Sequence, residues 1–167
     1  RSFVPGGLGG WVIYNKSLPL APLACTIEAD ERVSAKGDIV HALDEEQLRV
    51  SLRELKSKNI EALTVSLVNS FANDTHEKRI RDIAGEELPD IPVSLSSEVV
   101  PEMQEYERTV TTVANSYVRP RVAKYVRSLK SKLSIRGEDV KLHILRSDGG
   151  LASAKASEEF PVNMLMS

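Results

Sequence analysis

Between Asp44 and Leu95 the chain passes twice from a helix-type to a strand-type pattern, and this alternation restricts its fold more than any other feature. Asp44 can cap a helix, with Gln47 three residues on to complete a capping box, and Leu48, Leu52 and Leu55 then fall on one face. The helix should stop near Asn59, and Leu63, Val65, Leu67 and Val68 follow as a buried strand. Asn73, Asp74 and Thr75 offer the next cap, with Asp74 and Glu77 repeating the capping-box spacing. Ile80, Ile83, Ala84 and Leu88 make the buried stripe, Pro89 and Pro92 end it, and Val93 and Leu95 give another short strand. Helices alternating with apolar strands predict an α/β protein with parallel strands and right-handed crossovers.

The flanks carry weaker patterns. Pro5 to Gly10 form a glycine-rich loop ahead of a short strand at Trp11 to Tyr14. The order is loop then strand, without a following Lys-Ser/Thr, so a structural turn suits it better than a phosphate cradle. Cys25, Ile27 and Ala29 alternate with Thr26, Glu28 and Asp30 as in a half-buried strand, and Ser34 to Asp38 read as a turn leading back through Ile39 and Val40. Pro101 suits the first turn of a long helix whose stripe runs through Met103, Tyr106, Val110, Val113, Ala114 and Tyr117. Pro120 interrupts that pattern, which resumes through Leu133 and stops near Gly137, so a kinked or broken helix is expected. Leu142 to Leu145 read as a strand, and the run Val162, Met164, Leu165 and Met166 as another whose continuation is missing.

At 167 residues, with 28% charged and 41% hydrophobic, the chain is an ordinary globular mixture, long enough for a sizeable core. Twenty-two basic against 24 acidic residues give a net charge of −2, with no long block of one sign, which argues against nucleic acid or an anionic membrane as a partner. The stretch from Arg119 to Lys132 spaces its charges between Val122, Tyr125, Val126 and Leu129, as a solvated helix face does. A lone Cys25 fits a reducing compartment, and neither a spanning helix nor a signal peptide is visible, so a cytoplasmic protein is expected.

Few patterns carry chemistry. Ser147, Asp148, Gly149 and Gly150 close an apolar run, and a strand ending in such a loop presents backbone N–H groups and a carboxylate at a sheet edge; Asp-Gly is equally a common turn dipeptide. Glu98, Glu102, Glu105 and Glu107 cluster near the start of the long helix, where the macrodipole also favours them. Thr109, Thr111 and Thr112, weak helix formers beside Glu105 and Arg108, suggest an exposed or functional face. His41, His76 and His143 lie in no metal-ligand pattern, and neither a GxSxG elbow nor a nucleophile signature around Cys25 occurs.

Three stretches taken together are familiar: LPLAPLACTIEADERV at 18–33, VSLSSEVVPEMQEYERTVTTVAN at 93–115 and LRSDGGL at 145–151, joined by NSFANDTHE at 69–77. They resemble the hydantoinase A and 5-oxoprolinase family, which includes acetone and acetophenone carboxylase subunits. The resemblance implies a fragment of an actin-like or ribonuclease-H-like ATPase fold, with a mixed sheet, flanking helices and one long kinked helix. It implies the end of an N-terminal hydantoinase/oxoprolinase region at 1–115 and the start of the central hydantoinase A domain at 116–167.

Members of that family use ATP, with a divalent metal such as Mg assisting, to open a cyclic amide such as a hydantoin, 5-oxoproline or a lactam, or to carboxylate a ketone. Many work with a B-type subunit or domain. The family's phosphate loops should precede Arg1 and follow Ser167, so the piece alone is expected to bind neither nucleotide nor metal and to be inactive. Carried over residue by residue, Ser147, Asp148, Gly149 and Gly150 match a loop that faces the cleft, and Glu105, Tyr106, Glu107, Arg108 and Thr109 match a helix beside it. Arg108 could hold a carboxylate or phosphate through its planar fork, or form a salt bridge to Glu105. A folded module whose long helix docks a partner subunit is the alternative to catalysis.

Overall fold

The computed structural model describes residues 18–134 and 142–165. The glycine-rich loop at 5–10, the expected strand at 11–14, the expected helix end near Gly137 and Met166 lie outside them.

Asp44 adopts extended backbone and its Oδ1 accepts the Gln47 N–H at 3.0 Å, opening helix α1 (Glu45–Lys56). The other half of the expected capping box is replaced, because the Asp44 N–H donates to the Asp30 carbonyl at 2.9 Å. Leu48, Leu52 and Leu55 form the buried face of α1. Helix α2 (Thr75–Glu87) buries Ile80, Ile83 and Ala84, and Leu88 follows it into the core. Its cap differs from the expectation: Asn73 Oδ1 accepts both the N–H and the hydroxyl of Thr75, at 3.1 and 2.7 Å, and Glu77 turns inward.

Strands β3 (Leu63–Val65) and β4 (Val93–Leu95) run parallel, Leu63 beside Val93 and Val65 beside Leu95, in the expected helix–strand order. β3 is shorter than its apolar run. Asn69 at φ 62° and a return bond from the Ser70 N–H to Leu67 O take Leu67 and Val68 out of the ladder.

Side chains along a strand point alternately to its two faces. Leu63, Val65, Val93 and Leu95 face α1 and α2 and join their leucines and isoleucines in one apolar core. Thr64, Ser66 and Ser94 face the opposite way, toward the long helix α4 (Glu105–Ser134). There Thr64 donates to Ser116 at 2.7 Å, Ser66 bonds Thr109 at 2.6 Å, and Asn115 Nδ2 donates to Ser94 at 3.1 Å. Arg119 donates to Val93 O at 2.6 Å. The strand pair is therefore covered by apolar packing on one side and by a hydrogen-bonded seam on the other.

Helix α4 departs from expectation in three ways. It starts at Glu105 rather than Pro101, after the short helix α3 (Ser96–Val99). It continues through Pro120 instead of breaking, since Ser116 and Arg119 are bonded to the strands before it and Ala123 and Val126 are buried after it. The expected apolar stripe is turned outward: Met103, Tyr106, Val110 and Tyr117 are exposed, while Arg108, Thr112, Asn115 and Ser116 are buried. Asn115 and Ser116, between which the expected domain division falls, are consecutive on that buried face. In the basic stretch Arg121, Lys124, Arg127, Lys130 and Lys132 are exposed as expected, whereas Arg119 is drawn to the strands.

The remaining strands form local pairs. β1 (Arg32–Val33) and β2 (Ile39–His41) are antiparallel across the expected turn, where Gly37 takes φ 91°. Upstream, Cys25, Ile27 and Ala29 pack on the core and their neighbours are exposed, but this alternation forms no ladder. β5 (His143–Leu145) and β6 (Leu151–Ser153) make a second antiparallel pair, followed by α5 (Ala154–Glu159). The expected strand at 162–166 is instead a 3-10 turn over Pro161–Met164, because its N–H groups are already engaged: Val162 donates to Asn115 Oδ1, and Leu165 donates back to Val162 O. In place of one mixed sheet there are three two-stranded ladders among the described residues, two of them hairpins closed by short turns.

Candidate functional site

Open α/β proteins bind ligands outside the carboxyl ends of their strands, and the buried charges of this chain collect at that end of β3 and β4. Glu77 is fully buried. Its Oε1 accepts the Leu67 N–H at 3.0 Å and the Ser96 hydroxyl at 2.6 Å, and its Oε2 accepts the Ser97 N–H at 2.9 Å. Ser96 also bonds Ser70 at 3.1 Å. One carboxylate thereby ties the segment leaving β3 to the segment leaving β4.

Arg108 is 1% exposed. It donates to Leu67 O and to Glu102 O, each at 2.7 Å, and its guanidinium lies 5.7 Å from the Phe71 ring centroid. The salt bridge to Glu105 does not form; Glu105 is exposed, and among the described residues no carboxylate lies within ion-pair distance of Arg108. Its Nε has no hydrogen-bond partner. Glu77 and Arg108 thus grip Leu67 from its two polar ends, a buried anion on the N–H and a buried cation on the carbonyl. Thr109 faces Ser66, and Thr112 is buried with its hydroxyl on Arg108 O at 2.7 Å, so these threonines look toward the strands rather than toward solvent.

Over this frame lies a crevice of about 460 Å³ lined by Lys36, Phe71, Asn73, Asp74, Ser97 and Pro101. The β1–β2 turn closes on it: Asn73 Nδ2 donates to Gly37 O at 2.8 Å, and a Cβ on Gly37 would stand 3.2 Å from Ala72 O. A second cavity of about 400 Å³ opens beside β4, with Arg81, Glu98, Arg119 and Glu159 in its wall. Burial lowers the pKa of Arg119 there, against the opposing effects of Glu159 and Glu98.

Ser147, Asp148, Gly149 and Gly150 are elsewhere, at the tip of the β5–β6 hairpin and not at the carboxyl edge of the parallel pair. Gly149 takes φ 83°, Asp148 accepts the Gly150 N–H at 2.9 Å and pairs with Arg146 at 2.8 Å. The Ser147 N–H and hydroxyl both donate to Asn163 O, at 2.9 and 2.8 Å. Among the described residues no hydrogen bond or ion pair joins this tip to Glu105, Arg108 or Thr109. The residues that sequence reasoning missed are Glu77, Ser70, Ser96 and Ser97. Glu77 was hidden because its spacing from Asp74 is that of a cap. The described residues contain no group of three side chains able to hold a metal ion, and His76 is instead paired with Glu31 at 2.7 Å.

Residues 10–88 match the family model described as hydantoinase/oxoprolinase N-terminal region, and residues 108–167 match that described as hydantoinase/oxoprolinase. The chain belongs to the hydantoinase/oxoprolinase family. Within it, the chain is 35% identical to the acetophenone carboxylase gamma subunit of Aromatoleum aromaticum over 84% of its own length and 20% of that protein. It is 33% identical to the 5-oxoprolinase of Saccharomyces cerevisiae, over 69% of its length and 9% of that protein. The crystal structure of ATP-dependent caprolactamase from Pseudomonas jessenii matches 81% of the chain with a TM-score of 0.72 at 27% identity, covering 20% of that chain. The protein therefore spans a fifth or less of these hydantoinase/oxoprolinase relatives. No helix among the described residues is long and apolar enough to cross a membrane.

Proposed function

We propose that this chain is part of an ATP-dependent cytoplasmic enzyme that opens a cyclic amide, with a hydantoin, 5-oxoproline or a lactam as substrate and a B-type hydantoinase subunit or domain as partner. The observation that carries this reading is the likeness over 81% of the chain to a caprolactamase that is ATP-dependent. In it, the chain is a piece of an actin-like or ribonuclease-H-like ATPase fold, its residues up to 115 closing the N-terminal region and those from 116 opening the central domain. Glu105 and the loop from Ser147 to Gly150 border the cleft of the larger fold in this reading, while Arg108 and Thr109, turned toward the strands, act by holding the segment after β3.

ATP and Mg belong in this reading to other parts of the polypeptide, and the 167 residues alone do not turn over substrate. What they supply is a rigid crevice floor, with Glu77 and Arg108 fixing the segment after β3. The test is ADP release by the full-length polypeptide with its B-type partner, given 5-oxoproline, hydantoin or caprolactam. Turnover without bicarbonate is expected; none with any cyclic amide rejects the reading. Ketone carboxylation is the second reading, favoured by the 35% identity to an acetophenone carboxylase subunit, and it requires ADP release with a ketone only when bicarbonate is present.

A further inference from the structure

The β1–β2 hairpin, residues 31–41, stands outside the apolar core. On either side of it Ala29 and Leu43 pack against the α1–α2 cluster, and the Asp44 N–H closes the stem on Asp30 O at 2.9 Å. Beyond that stem Val33 is the one buried apolar side chain, and it does not belong to the cluster. Ile39, Val40 and His41 are all exposed. A ladder of two and three residues is not stable by itself, so the hairpin keeps its shape only while it is docked.

Apart from Val33, what docks it is polar. Asn69 Nδ2 donates to Val33 O at 2.9 Å, and His76 Nδ1 pairs with Glu31 Oε2 at 2.7 Å. At the tip, Asn73 Nδ2 donates to Gly37 O at 2.8 Å, and the missing Cβ of Gly37 lets the turn lie against Ala72 O. Lys36 and Gly37 then form one wall of the crevice of about 460 Å³, opposite Phe71, Ser97 and Pro101. Ser97 Oγ is closed off from water and has no hydrogen-bond partner. A hydroxyl buried in that way costs stability, and it regains a partner once water enters. The stem is thus fixed to the core, the tip is held by a single directional bond, and the closed state leaves a polar group of the crevice unsatisfied.

We infer that the β1–β2 hairpin is a lid on this crevice, hinged at Asp30 and Asp44 and latched at its tip by Asn73, and that it opens while the core stays folded. The proposal is independent of the reaction catalysed. In the full-length polypeptide, Val33→Cys and, separately, Ser97→Cys are exposed to a thiol reagent and labelling is read at each site by mass spectrometry. Hydrogen exchange of the α1 amides measures opening of the core in the same samples. Both thiols should label at rates almost indifferent to low urea, because lifting a hairpin exposes little surface, whereas α1 exchange rises steeply. Asn73→Asp keeps the oxygen that caps Thr75 and removes the donor to Gly37 O. It should speed labelling at both sites on the order of fivefold, the worth of one hydrogen bond, with α1 exchange unchanged. Asn69→Asp should do the same by releasing Val33 O. Should a cysteine variant loosen the core, exchange of the Ser34 and Gly37 amides, with and without Asn73→Asp, gives the same readout in a chain carrying neither cysteine. Labelling that follows α1 exchange overturns the proposal, as does labelling that ignores Asn73→Asp. A response at Val33 but not at Ser97 also overturns it, because the hairpin then moves without opening the crevice.

Discussion

Glu77 is the residue on which the carboxyl ends of both parallel strands depend. Replacing it with Leu leaves the N–H groups of Leu67 and Ser97 and the hydroxyl of Ser96 without their acceptor. Each orphaned buried group costs about 1–3 kcal/mol. Urea denaturation should therefore show Glu77→Leu less stable by roughly 3 kcal/mol or more, and Glu77→Gln less affected because one acceptor oxygen survives. Arg108 is its opposite number, and the two should be coupled through Leu67: the double variant with Arg108→Gln should cost less than the sum of the singles. Neither role was legible beforehand. A glutamate three residues after an Asp reads as a cap, and an arginine after a glutamate reads as half of a surface pair; only the fold shows that both are buried.

The elements were legible where burial is apolar. Leu48, Leu52 and Leu55 in α1, and Ile80, Ile83 and Ala84 in α2, point at the core as their spacing requires. For α4 the same rule selected the outward face, because the inward face meets Thr64, Ser66 and Ser94 and is polar to match. Hydrophobic periodicity located the apolar stripe of α4 but not the way it faces, because the strands it packs on present polar side chains. Between α1 and α2 the contact is ionic as well as apolar. Arg53 bonds Glu87 at 2.8 and 2.9 Å, Arg49 at 3.2 Å, and these bonds pull the Glu87 carboxyl down to about 2. A carboxyl depressed in the folded state stabilises the fold above its unfolded pKa, and the contribution is lost as pH falls through the folded value. Thermal melts should accordingly lose stability between about pH 4.5 and pH 2 in low salt, and Glu87→Gln should flatten that part of the curve.

Seen whole, the apolar core cluster of the described residues lies on the α1–α2 side of the strands, and Leu52→Ala should cost about 3 kcal/mol there. On the other side, order depends on directional bonds, with Asn115 as the joint. It donates to Ser94 and to Glu159 O and accepts from the Val162 N–H, linking β4, α5 and the last turn. Asn115→Ala should leave the α1–α2 core protected in hydrogen exchange while amides from Ala154 to Leu165 exchange faster. The α/β class and the family were readable from patterns and motifs because both rest on local sequence. The three separate ladders and the outward stripe of α4 were not, because they depend on which surfaces meet.

Arg119 has a consequence for the sheet. Pro92 O receives the Leu63 N–H from β3, so the next carbonyl along, Val93 O, looks away from the ladder, and Arg119 fills it at 2.6 Å. A newcomer strand seeking to lengthen the pair on that flank would have to evict a guanidinium from Val93 O. The guard is a side chain rather than a bulge or a proline, so it can swing aside: this border is latched, not walled.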